Sequence, residues 1–174
     1  DTGTNMSMTI GNGAKELEKL GDDATVEEVA KVAASGFLRG ARGNSGVILS
    51  LLFRGFSKGM KGKETATGAD IAAAFSLGVE AAYKAVMKPT EGTILTVSRC
   101  AAEKATQIVK YDDSTVAVIY GMYLQSKRTL AQTPEMLPIL KEGHVVDAGG
   151  AGFVMILRGI LAALRGTPVE SNAP

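Results

Sequence analysis

The sequence predicts an all-α protein, an up-and-down antiparallel barrel or bundle of about eight amphipathic helices. Apolar residues recur at helical spacing almost throughout, as in Val26, Val29, Ala30, Ala33 and Phe37, and again in Ile71, Phe75, Val79, Ala82 and Val86. Each such segment has one face to bury. The alternation that would mark half-buried strands is nearly absent. Start signals agree with the periodicity: Thr25 with Glu28 and Thr67 with Asp70 have capping-box or near-capping-box spacing, and Ser114 is a candidate N-cap.

Seven helices follow, over residues 5–20, 26–40, 45–60, 68–87, 93–110, 115–132 and 151–165, with a short turn near 135–141. Short connections between segments of similar length favour antiparallel neighbours. The stretch from Ser57 to Lys63, rich in Gly and Lys, reads as a surface loop. Residues 167–174 read as a tail or linker after a single domain at 1–166. The chain opens at Asp1, without an initiator Met and inside a polar motif, so it reads as N-terminally incomplete, with the first helix of the barrel outside it.

Composition narrows the function classes. A chain of 174 residues can bury one real core, and 45% hydrophobic with 21% charged residues excludes disorder as its main state. Nineteen basic and 18 acidic residues leave a net charge of +1, without the basic footprint that nucleic acid requires. Cys100 is the single cysteine and cannot form an internal disulfide; its apolar neighbours Ala101 and Ala102 make it a buried small hydrophobe. That usage fits a cytoplasmic, reducing compartment. No run approaches the roughly 18 apolar residues of a membrane span. The 21 glycines are many, and they concentrate interest on the loops.

Four polar, glycine-containing segments sit at helix junctions. Asp1-Thr2-Gly3-Thr4-Asn5-Met6 offers a carboxylate, hydroxyls and an amide; Asp1 suits a hard cation such as Mg²⁺, or it is a plain N-cap. Gly40-Ala41-Arg42-Gly43-Asn44-Ser45-Gly46 leads into the apolar helix of Val47, Ile48, Leu51 and Leu52. Its glycines allow close approach of an anion, and free N–H groups at the helix start would point at it. It is neither a P-loop nor a Rossmann fingerprint, and a tight helix–helix turn is the alternative. In Lys88-Pro89-Thr90-Glu91-Gly92-Thr93-Ile94, Thr93 either caps its helix or donates to a ligand oxygen. In His144-Val145-Val146-Asp147-Ala148-Gly149-Gly150, Asp147 either orients a donor, binds a ribose or caps the last helix. An up-and-down bundle puts every second helix start at one end, so these loops can converge on one rim as a metal–nucleotide site. His144 lacks a partner at useful spacing and reads as a structural loop residue, while Arg42 and Lys141 stand beside the glycine loops, where they could neutralise phosphate.

On these strings, together with Gly-Val-Glu-Ala-Ala-Tyr-Lys-Ala-Val-Met leading into Lys88 and with Val145-Val146-Asp147-Ala148-Gly149-Gly150, the chain resembles the N-terminal domain of the bacterial fatty acid kinase A subunit, itself similar to the L subunit of dihydroxyacetone kinase. The resemblance implies a barrel of about eight antiparallel helices with ATP or ADP and Mg²⁺ at one end. It matches Asp1 to the last member of a metal-binding aspartate cluster, with a catalytic role. It assigns Thr4, Asn5, Gly43, Asn44, Ser45, Gly46, Thr93, Asp147 and Gly149 to nucleotide binding. At position 144 the family pattern leads one to expect Gly rather than His. The implied reaction transfers the γ-phosphoryl group of ATP to a fatty-acid carboxylate presented by a DegV-like fatty-acid-binding protein, with homodimerisation through regions outside this chain. Two alternatives stand beside it: a dihydroxyacetone-type phosphotransferase subunit, against which Asp1-Thr2 in place of Asp-His argues, and a non-catalytic helical module binding lipid or a partner.

Overall fold

The computed structural model describes residues 1–169; the part of the 167–174 tail from residue 170 onward lies outside the described residues. It contains eight helices and, among the described residues, no strand: α1 (Thr2–Leu17), α2 (Val26–Gly40), α3 (Gly43–Gly59), α4 (Gly68–Ala85), α5 (Ile94–Ile108), α6 (Thr115–Met136), α7 (Pro138–Glu142) and α8 (Ala148–Leu164). Each long helix packs on its chain neighbour, α6 packs on α8, and α8 returns to α1, which closes a ring of seven long helices. The short α7 packs on α6 alone. The expected seven long helices and one short turn are therefore present as an all-α barrel.

Boundaries moved where polar residues act as caps instead of loop. Asp1 accepts the Thr4 N–H at 2.8 Å, which starts α1 at Thr2 rather than residue 5. Asp147 accepts the Gly150 N–H at 2.7 Å and starts α8 three residues early. Helix α6 runs past the expected stop and through Pro134. Proline has no N–H for the carbonyl four residues back, and here the Thr133 hydroxyl donates to that Leu130 carbonyl at 2.7 Å, which lets the last turn persist. The stretch from Ser57 to Lys63 is more than a surface loop. Met60 within it is fully buried, and its Lys63 carbonyl, with that of Glu64 just beyond, accepts the first N–H groups of α2.

Leu49, Leu52, Val97, Val118, Met122, Phe153 and Leu157 are fully buried along the barrel axis. Five phenylalanines, Phe37, Phe53, Phe56, Phe75 and Phe153, stack edge-on or tilted at centroid distances of 4.7–6.4 Å, a geometry that adds to their area burial. Helices α3 and α4 approach closely at Gly55 and Gly78, where a Cβ on Gly55 would lie 2.5 Å from the Gly78 Cα. Beside the aromatic cluster is an apolar cavity of about 550 Å³, lined among others by Leu17, Val26, Ala30, Phe53, Ile71, Ile119 and Ile160. It lies toward the end where α2, α4 and α6 begin. Cys100 is half-buried rather than fully buried.

Candidate functional site

The other end of the barrel is where α1, α3, α5 and α8 begin, and the polar segments meet there. The turn before α3 is held by Thr9, which no motif marked. Its buried hydroxyl donates to the Asn5 carbonyl at 2.8 Å, lies 3.3 Å from the Gly40 carbonyl and accepts the Arg42 N–H at 3.1 Å. Asn12 adds a 2.6 Å bond from Nδ2 to the Gly36 carbonyl. Gly43 is required twice over: its φ is +65°, and a Cβ there would sit 2.5 Å from Asn5 Nδ2. A Cβ on Gly46 would meet Thr9 Oγ1 at 2.6 Å, and one on Gly149 would meet Ser45 Oγ at 2.7 Å. These glycines bring α1, α3 and α8 to within touching distance.

Helix α3 differs from its neighbours at this point. Helices α1, α5 and α8 are capped by Asp1, Thr93 and Asp147, and α2, α4 and α6 by Thr25, Thr67 and Ser114. The residue before α3 is Arg42, whose side chain makes no capping bond. Its opening N–H groups, with the positive end of the helix dipole, border a cleft of about 520 Å³. Asn44, Ser45, Thr93 and Asp147 line this cleft on one side, and Val47, Ile48, Leu51, Ala85 and Val86 form an apolar wall.

Asp147 is half-buried on the cleft. Burial pushes its pKa above the ordinary 3.8, opposed by the Gly150 N–H it accepts at 2.7 Å and by the nearby Ile94 N–H. Thr133 Oγ1 of α6 accepts the Asp147 N–H at 3.2 Å, which ties the start of α8 to α6. Between α4 and α5 the loop brings Lys88 and Thr90 to the cleft as well. Lys88 was not among the expected site residues; its place next to Pro89 in the loop string was the available signal.

Of the residues expected at the site, Asn44, Ser45, Thr93 and Asp147 share the cleft, and Asn5, Gly43, Gly46 and Gly149 frame it. Thr4 is exposed in the first turn of α1. Asp1 is exposed at the same end, one turn ahead of Asn5, whose N–H its carbonyl accepts at 2.9 Å. Among the described residues no three His, Cys, Asp or Glu side chains group closely enough to hold a metal ion by themselves. Asp1 would thus be this chain's single carboxylate for Mg²⁺, an ion that takes one or two carboxylates and completes its shell with phosphate oxygens and water. Lys141 is engaged by Glu135 at 3.0 Å. His144 is exposed at φ +53°, the left-handed conformation for which the family pattern's glycine is suited.

The family model of the DAK2 domain matches residues 1–162. The chain belongs to the DAK2-domain family. That membership places it with dihydroxyacetone-kinase-type proteins and supports a phosphotransferase role in general terms. Among curated relatives it is 46% identical to Protein YloV of Bacillus subtilis (strain 168) over 173 residues, 99% of this chain and 31% of that protein. It is 45% identical to an uncharacterized protein of Staphylococcus epidermidis and 44% identical to one of Staphylococcus saprophyticus, each over 174 residues and 31% of the relative. The chain spans less than a third of the length of these relatives. No described helix is long and apolar enough to cross a membrane.

Proposed function

We propose that the rim cleft binds ATP or ADP with Mg²⁺, and that this DAK2 domain is the nucleotide-binding part of a kinase. The observation that carries this is the uncapped start of α3, opening onto a cleft that also holds Asn44, Ser45, Thr93 and Asp147. Unpaired helix N–H groups with adjacent hydroxyl and amide donors suit a phosphate chain. The apolar wall from Val47 to Val86 suits a base. Mg²⁺, when bound, would neutralise charge on the phosphates, with Asp1 as its ligand from this chain. Phosphoryl transfer asks mainly for positioning and charge neutralisation, which such a site supplies without a nucleophilic triad.

The acceptor in this reading is a fatty-acid carboxylate presented by a DegV-like fatty-acid-binding partner, giving an acyl phosphate in the cytoplasm. Support for the acceptor comes from the loop strings at 40–50 and 78–97 and not from the cleft itself. Isothermal titration with ATP and Mg²⁺ tests the first half; absence of Mg²⁺-dependent binding would overturn it. Thin-layer detection of acyl phosphate from labelled ATP, with and without the lipid-binding partner and the rest of the kinase chain, tests the second. Product from dihydroxyacetone instead would favour the phosphotransferase-subunit alternative. The apolar cavity at the opposite end is the observation that favours a non-catalytic lipid-binding module, which predicts no nucleotide binding at all.

A further inference from the structure

The loop that brings Thr90 and Thr93 to the cleft is gripped at its middle by groups that do not line the cleft. The Glu91 carboxylate accepts from the Tyr83 hydroxyl at 3.3 Å, from the Thr96 hydroxyl and from Arg99 Nη2 at 3.2 Å. Arg99 also donates through Nε to the Tyr83 oxygen at 3.1 Å and through Nη1 to Glu103 at 3.2 Å. Thr96 Oγ1 accepts the Gly92 N–H at 2.8 Å. Gly92 itself has φ +88°, and a Cβ there would lie 2.9 Å from the Leu137 Cβ and 3.1 Å from the Thr133 carbonyl. The backbone between the two threonines is therefore fixed from α4 by Tyr83, from α5 by Thr96 and Arg99, and against α6.

Ion pairs as exposed as these add little to fold stability. A planar guanidinium engaging three partners at once does fix geometry, because the fork sets direction as well as distance. Displacing a binding group by a fraction of an ångström weakens a ligand without unfolding its host. We propose that Arg99, acting through Glu91, is a positioning residue that sets Thr90 and Thr93 for the nucleotide. The inference rests on the nucleotide reading of the cleft.

The test uses isothermal titration of the purified protein with ATP and ADP in the presence of Mg²⁺, alongside thermal melting. Arg99→Gln is expected to raise Kd about tenfold while shifting the melting temperature by no more than about 2 °C. Glu91→Gln, which keeps volume and the Tyr83 and Thr96 hydrogen bonds but removes the charge facing Arg99, carries the same expectation. Arg99→Lys recovers part of the affinity, since a point charge can face Glu91 but cannot fork to Tyr83 and Glu103. In a Thr93→Ala background the Arg99→Gln effect shrinks, because residues acting through one contact are not additive. Unchanged affinity in both Arg99→Gln and Glu91→Gln overturns the inference alone, as does full additivity with Thr93→Ala. Failure of the unsubstituted protein to bind nucleotide overturns the reading of the cleft and this inference with it.

Discussion

Helices α2, α4 and α6 begin at one end of the barrel; α1, α3, α5 and α8 begin at the other, and the two sets of N-termini are finished differently. At the first end neighbouring loops cross over to use the opening N–H groups. Val26 and Glu27 donate to the Glu64 and Lys63 carbonyls at 3.0 Å each, Gly68 donates to the Asp113 carbonyl at 2.9 Å, and Ala69 to the Asp113 carboxylate at 2.6 Å. Glu27 reaches back to the Gly62 N–H at 2.7 Å. With the Thr67–Asp70 capping box, little donor capacity is left over there for a ligand. At the second end the start of α3 has no side-chain cap, and the loops that could close over it turn aside to leave a cleft. Threonine, serine, aspartate and glycine at a helix start thus serve structure alone where another loop spans the gap, and leave a candidate site where none does.

Glycine substitutions separate the two ends most sharply. Both Gly43, at the rim, and Gly62, at the closed end, have positive φ, +65° and +79°. Only Gly43 has an atom waiting for its Cβ, Asn5 Nδ2; at Gly62 nothing lies within 4 Å. Gly43→Ala is expected to cost about 1–3 kcal/mol of stability and to weaken ATP binding by about 100-fold. Gly62→Ala should cost about 1 kcal/mol and leave binding alone. Equal ATP affinities in the two variants, read by titration, would erase the proposed difference between the ends.

Side-chain deletions sharpen it next. Asn44→Ala and Ser45→Ala should each weaken ATP binding by roughly 1–3 kcal/mol, as for hydrogen bonds to a charged group, with melting nearly unchanged. Thr25→Ala and Ser114→Ala should do the reverse, losing about 1 kcal/mol of stability as caps and no affinity. Titration and calorimetry on the four variants read both quantities.

The contrast also explains what was legible beforehand. Helical periodicity exposed the fold, because nearly every helix buries one face. Asn44, Ser45, Thr93 and Asp147 were singled out because they are polar residues beside glycines at helix starts, and the structure gathers them along one cleft. Caps and ligand groups share the same residue types, however, so the strings around Thr93 and Asp147 could not show that both residues cap and also line the cleft. Thr9 and the Arg99–Glu91–Tyr83 cluster were invisible, since a buried threonine and helix-surface charges have no local signature. Their roles arise from contacts between residues 33 and 8 positions apart, respectively.

Acid titration gives the two ends opposite signs. Asp70, at the closed end, is held below its ordinary 3.8 by the Thr67 N–H first and by Lys63. Its contribution is present above 3.8 and is lost as pH falls through the lower folded value. Asp147, at the rim, is raised by burial. Its contribution is present below 3.8 and lost as pH rises through the higher folded value, so ionisation at neutral pH is a standing cost. Asn caps a helix about as well as Asp. Asp70→Asn should therefore lower the melting temperature at pH 7, whereas Asp147→Asn should raise it; the Asp147 difference should vanish in melts below pH 3.8, and the Asp70 difference only further down, once pH has fallen through its lowered folded value.

The smallest expected effect concerns His144, at the margin of the rim. Its N–H donates to the Lys141 carbonyl at 3.2 Å and the Val145 N–H to the Leu140 carbonyl at 3.1 Å, which is the paired bonding of a Schellman ending for α7, with His144 in the left-handed position. A side chain in that conformation costs about 1–2 kcal/mol. Glycine would relieve it and lose about 0.5–1 kcal/mol to the greater freedom of its unfolded chain. His144→Gly should thus stabilise the protein by about 0.5 kcal/mol, visible as a small rise in melting temperature, with ATP affinity unchanged. The imidazole is exposed and does not line the cleft, so nothing in the proposed site depends on it. A loss of affinity in His144→Gly would move the boundary of the rim outward to include this turn, and the simple division between a closed end and an open cleft at α3 would have to be redrawn around two loops rather than one.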